Sequence, residues 1–191
     1  VAQAKDAPPQ VTEDGLQLTK STRTRLVYVK PGATFSQYDR VAILDCYVEF
    51  EKDWQKDYND SQRGFEGRVT DDDVARMKIG LGAEFENVFT RELQDRGGYE
   101  VVDTAAPDVL VLRPALINVE VNAPDLMAPG INATIVRSAG QMTLYLELWD
   151  SATNTILARV MDAQAEKMKI AQPANRVPNT SAADDILEEW A

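Results

Sequence analysis

The feature that most constrains this chain lies between residues 141 and 168. From Gln141 to Trp149 the side chains alternate: Met142, Leu144, Leu146 and Leu148 point one way, and Thr143, Tyr145, Glu147 and Trp149 the other. Asp150-Ser151-Ala152-Thr153-Asn154 is a run of turn formers, and Thr155 to Met168 resumes the strand character. A period of two over this length is a strand with one buried face, and two such strands joined by a short turn lie antiparallel. An isolated hairpin is marginal in water. The chain must therefore supply more strands, and a layer to cover the apolar face.

The rest of the sequence offers both. Leu26 to Lys30 is a short strand stopped by Pro31-Gly32, and Arg40 to Phe50 is a mostly apolar strand carrying Val41, Ile43, Leu44, Tyr47, Val48 and Phe50. Thr70 to Arg96 is a helix. Thr70 is its N-cap, Asp71, Asp72 and Asp73 suit its first turn, and Gly97-Gly98 ends it. Val74, Met77, Leu81, Phe85, Val88, Phe89 and Leu93 recur at steps of three and four and form its apolar face. Tyr99 to Asp103 is a short strand beyond that helix, so it runs parallel to 40–50. Asp108 to Val121 is a long strand, with Val109, Val111, Ala115, Ile117, Val119 and Val121 expected on one face and Pro114 marking an edge or a bulge. Ser181 caps a final helix with Ile186, Leu187 and Trp190 on its apolar face.

The order β-β-α-β-β-β-β-α predicts an α+β fold: a mixed, mostly antiparallel sheet of five to six strands with helices packed on one face, a two-layer sandwich. Residues 1–24, rich in Ala, Pro, Gln, Thr and charge, read as a flexible N-terminal tether, and 25–191 as a single domain.

Composition removes several chemistries. The 191 residues carry a net charge of −11 and no histidine. The charge opposes nucleic acid and anionic lipid. The missing histidine excludes Ser-His-Asp and Cys-His catalysis and the commonest metal ligand. The one cysteine, Cys46, sits in an apolar run and reads as a packed core residue. Gly80-Leu81-Gly82 lies inside a helix with Phe85 following, the wrong context for a phosphate loop. Asp57-Tyr58-Asn59-Asp60-Ser61 begins like a calcium loop, but Gln62 stands at the turn glycine and Arg68 at the bidentate glutamate. No catalytic, cofactor-binding or metal-ligating set is assigned.

Two groups of residues remain as candidates. Carboxylates alone can hydrolyse glycosides when two stand about 5–9.5 Å apart, and Asp45, Glu120, Glu147 and Asp162 are the ones placed on strands. The bland reading pairs them with arginines such as Arg113 or Arg159 on neighbouring strands. The polar segment Glu51 to Val69, read as a long loop, holds Trp54, Tyr58 and Phe65. These form a partner-binding surface if exposed, or a satellite of the core if folded back.

Several motifs in order carry a family resemblance. They are Tyr28-Val29-Lys30-Pro31-Gly32; Tyr38-Asp39-Arg40-Val41 leading to Asp45; Gly98-Tyr99-Glu100-Val101-Val102; Ala106-Pro107-Asp108-Val109-Leu110-Val111-Leu112-Arg113; and the turn at Asp150–Asn154. Together they resemble an uncharacterised bacterial lipoprotein family, domain of unknown function 3313. The sequence departs from the family pattern at Cys46, where a proline is expected, and at Asn154, which replaces the turn glycine; Asn tolerates positive φ, so that exchange is mild. The resemblance implies an exported protein whose signal peptide has been removed. Its membrane attachment would be a lipid-bearing cysteine upstream of Val1, at the periplasmic face of the envelope on the outer membrane. It brings no catalytic residues.

The leading expectation is a non-enzymatic envelope module that binds a protein or cell-wall component. A carboxylate-dependent glycan hydrolase and a structural homo-oligomer are the alternatives.

Overall fold

In the computed structural model the described residues are 7–62, 64, 67–122 and 139–165. Among them the chain runs β1 (Gln17–Ser21), β2 (Arg25–Val29), β3 (Arg40–Ile43), β4 (Tyr47–Phe50), α1 (Trp54–Ser61), α2 (Asp71–Asp95), β5 (Glu100–Val101), β6 (Val109–Val121), β7 (Ala139–Asp150) and β8 (Thr155–Ala165). All eight strands join one mixed sheet in the order β1-β2-β8-β7-β6-β3-β5, with β4 beside β6 in line with β3. The pairs from β1 to β6 are antiparallel; β3 and β4 on β6, and β5 on β3, are parallel.

Eight strands overturn the expectation of five to six, and two local causes account for the difference. The first is at the N-terminus. Residues read as tether include β1, which pairs with β2, and Leu16, which is fully buried. Its few apolar residues, Leu16 and Leu18, are too short a signal by themselves; they find partners on strands over a hundred residues away. The second is the segment 40–50, which is two strands. Leu44 N donates to Leu112 O, so the even-numbered residues of β6 turn their backbone groups toward β3 and β4. Pro114 is next in that series and has no N–H to offer. The neighbouring strand is interrupted at Leu44–Cys46, directly opposite. Pro114 thus sits at the centre of the sheet, where the ladder it cannot complete has a gap.

The long helix forms as its sequence predicts. Thr70 and Asp73 make a reciprocal capping box, with Thr70 N donating to Asp73 Oδ2 at 2.8 Å. Met77, Leu81, Phe85, Val88 and Phe89 bury against Val48, Phe50, Leu112, Leu116, Met142 and Leu144. This defines the inner face of the sheet. Gly82 lets the helix come close: a Cβ there would lie 3.2 Å from Cys46 O.

One bulge alters the faces of β6. Asn118 takes φ 52° and the register with β7 shifts between Ile117 and Glu120. Val119 and Val121 therefore join Leu112 and Leu116 in the core, on the face opposite Val111, Ala115 and Ile117. The expected common face fails at this residue. The hairpin turn behaves as anticipated: Asn154 has φ 52°, and Asp150 Oδ1 accepts from Thr153 N and Oγ1. The segment read as a loop from 51 to 69 contains α1, which replaces the calcium-like run by helix. The C-terminal helix expected from Ser181 lies outside the described residues.

Candidate functional site

Among the described residues the outer face of the sheet holds a dense polar cluster. Alternation puts Tyr145, Glu147 and Trp149 of β7 there, because Met142 and Leu144 bury on the inner face. Cross-strand neighbours share a face, which adds Arg113 of β6 and Arg159 of β8, both opposite Glu147. Glu147 is buried and fully engaged. Its carboxylate accepts from Tyr145 Oη at 3.0 Å, Trp149 Nε1 at 3.1 Å, and Arg159 Nε and Nη2 at 3.1 and 2.9 Å. Arg113 stands 3.9 Å away. Burial, then the hydrogen bond to Glu147, raises the Tyr145 hydroxyl above its ordinary value. Arg159 also donates to Asp14 Oδ2 at 2.6 Å. Hydrogen bonds from Thr12 and then Arg159 hold the Asp14 carboxyl below its usual range.

Asp162 lies on the other side of the sheet. It pairs across β7 with Leu144, whose side chain is in the core, so it faces inward and is almost wholly buried. Arg25, opposite it on β2, bonds to it through Nε and Nη2. Glu147 and Asp162 are thus separated by the sheet itself. Asp45 is exposed in the break between β3 and β4, and Glu120 sits beside Gln141 at the far end of β7 from Glu147. The four carboxylates do not converge. The cross-strand pairing with arginine that the sequence suggested describes Glu147.

The aromatic candidates divide. Trp54 is buried; its ring lies 4.6 Å from Phe50 and 5.8 Å from Tyr58, and its Nε1 donates to Val121 O at 3.2 Å. Tyr58 packs against the same core. Both fold back on the inner face and leave no exposed patch between them. Phe65 lies outside the described residues. Cys46 packs beside the core, and burial pushes its thiol up to about 12. Among the described residues no group of three carboxylates or thiols is placed to hold a metal, and no helix is long and apolar enough to cross a membrane.

Among the described residues three aromatics outside the candidate list are exposed, Phe35, Tyr99 and, most of all, Tyr47. Tyr47 belongs to the mostly apolar run 40–50, yet it is 59% exposed on the outer face, because its neighbours Val48 and Phe50 take the inner one. It lies in register with Ala115, which is opposite Tyr145. Strict alternation within 47–50 was the available signal.

The arrangement defines a class: an α+β domain whose buried charges serve to join strands. The chain belongs to the family described as protein of unknown function (DUF3313), whose model matches residues 10–191. No curated protein matches it. Among solved structures it is similar to the PelC dodecamer from Paraburkholderia phytofirmans, at 13% identity and a TM-score of 0.41 over 85% of this chain and 93% of that one. It is also similar to a PDZ domain protein from Parabacteroides distasonis, at 10% identity and a TM-score of 0.37 over 87% of this chain and 33% of that one. Likenesses this distant carry no argument about what this chain does.

Proposed function

We propose that this chain is a non-enzymatic, partner-binding domain of an exported lipoprotein, anchored at the periplasmic face of the bacterial outer membrane, whose partner is a protein or cell-wall component. The observation that carries the non-enzymatic reading is the placement of Glu147 and Asp162. Each is held by arginine, and they lie on opposite faces of the sheet. A glycosidase needs two carboxylates facing one space. The binding reading is supported by the outer face, where Tyr47 is exposed in line with Ala115 and Tyr145. Aromatic side chains are enriched at interaction surfaces. The anchor and its compartment come from the family resemblance.

The test uses the full-length gene product in a Gram-negative host, with a photo-crosslinking phenylalanine in place of Tyr47 and a clickable fatty acid in the medium. Expected are lipid incorporation, outer-membrane fractionation, and a discrete adduct at position 47 that is absent when the crosslinker replaces the exposed Ile79 on α2. An unlipidated cytoplasmic product, or release of reducing sugar from purified cell wall, overturns the proposal.

A further inference from the structure

The N-terminal segment is bound to the outer face much as a separate peptide would be. Residues 10–18 fold into a knuckle: Leu18 N donates to Gln10 O, Val11 bridges Gln17, and Gly15, at φ 81°, closes the turn with Thr12. Two side chains reach from it into the sheet. Leu16 is fully buried between Tyr28 and Ile156, with Trp149, Leu26 and Met161 around them. Asp14 takes two bonds from Arg159, at 3.3 and 2.6 Å. Apart from half-buried Thr12 and Leu18, the rest of residues 10–21 is exposed. All of β1 except Leu18 faces solvent, and β1 lies at the end of the sheet with β2 as its strand neighbour. An element with few buried contacts at a sheet edge opens at lower free energy than the core it lies on.

We infer that residues 10–21 form a releasable strap, and that the pocket it fills is a docking site taken by a partner segment of the same chemistry: a carboxylate followed two residues later by a branched aliphatic side chain. The pocket is built to take both. Tyr28, Ile156 and Trp149 present an apolar slot. Arg159 is fixed from behind by Glu147 and lies 5.7 Å over the Tyr145 ring, so its guanidinium stays aimed when Asp14 leaves. In a chain of net charge −11 this is a locally cationic spot that favours an anionic group. The strap occupies it at a high effective concentration, so a competing segment binds only as fast and as far as the strap lifts. The inference rests on the partner-binding reading above and names a second surface for it.

Hydrogen exchange on the intact chain comes first. The amides of Gln17–Ser21 are expected to exchange at least about tenfold faster than those at the centre of β7, through an opening that spares the core. Asp14→Ala raises that opening about fivefold further, the loss of one partly exposed, two-bond ion pair with Arg159. A fluorescein-labelled peptide of residues 10–21 is then added. It binds the Leu16→Ala chain, whose own strap is weakened, and binds the wild type at least about tenfold less. The same peptide carrying Asp14→Ala and Leu16→Ala binds neither. Equal exchange in β1 and β7 overturns the inference, because the strap then opens only with the whole fold. So does a peptide that fails on the weakened chain, and if Leu16→Ala does not fold, Asp14→Ala takes its place in the binding arm. Failure here leaves the Tyr47 crosslink untouched, and failure of that crosslink leaves strap exchange intact.

Discussion

Replacing Trp54 with alanine tests whether the segment after β4 belongs to the core. The indole is buried, tilted against Phe50, stacked on Tyr58, and bonded to the carbonyl of Val121. Truncating a buried tryptophan costs about 3–5 kcal/mol, and the loss of two aromatic contacts and one hydrogen bond places this site in the upper half of that range. With a urea dependence of about 2 kcal/mol per molar, the midpoint falls by roughly 2 M. Trp54→Phe keeps a ring in the stack and strands only the Val121 carbonyl, so it costs about 1–2 kcal/mol. Urea titrations followed by far-ultraviolet circular dichroism give both values without relying on the fluorescence of the residue removed. A loss below about 1 kcal/mol for Trp54→Ala is the level of a surface substitution. It would refute the core assignment and return Trp54 to the list of residues available to a partner.

Three further outcomes follow from named contacts. Burial pushes the Cys46 thiol to about 12, so at pH 8 the native protein reacts with a thiol-specific chromogen far more slowly than the protein in urea; equal rates would contradict the packing. Gly82→Val sets a branched side chain against Cys46 O, which a Cβ alone approaches to 3.2 Å, and is expected to cost about 1–3 kcal/mol by overpacking in a thermal melt. Hydrogen bonds from the Thr70 side chain and backbone, with Arg76 adding, hold the Asp73 carboxyl below its ordinary 3.8. A carboxyl lowered on folding stabilises the fold above its unfolded value and loses that contribution as pH falls through the folded one. Stability therefore drops from about pH 5 downward, and Asp73→Asn flattens that drop while leaving a smaller constant loss at pH 7. An unchanged acid slope would remove Asp73 from the account.

Legibility in the sequence followed the range of the interaction. The capping box of α2 and the stripe from Met77 to Phe89 depend on residues three and four apart, and both were readable. The hairpin of β7 and β8 depends on a period of two and a five-residue turn, and its faces came out as written. The bulge at Asn118 was not readable, because a single residue at positive φ reverses the face of everything after it without changing composition. The split at Leu44–Cys46 needed Pro114, some seventy residues on, to be recognised as its neighbour. The candidate carboxylates were visible as residue types but not as a constellation. Glu147 and Asp162 differ by an odd number of steps from a shared register, and only that register places them on opposite faces.

By itself, the sequence determined a sheet with a covering helix and an acidic surface, and it ruled out histidine-dependent chemistry, since these rest on local periodicity and on which side chains exist at all. The tertiary structure decided which charges meet, that Trp54 is core and Tyr47 is not, and that Asp14 and Leu16 close onto a sheet formed by residues far along the chain. Those outcomes depend on strand order and register, which arise from the packing of the whole sheet and are written in no single segment.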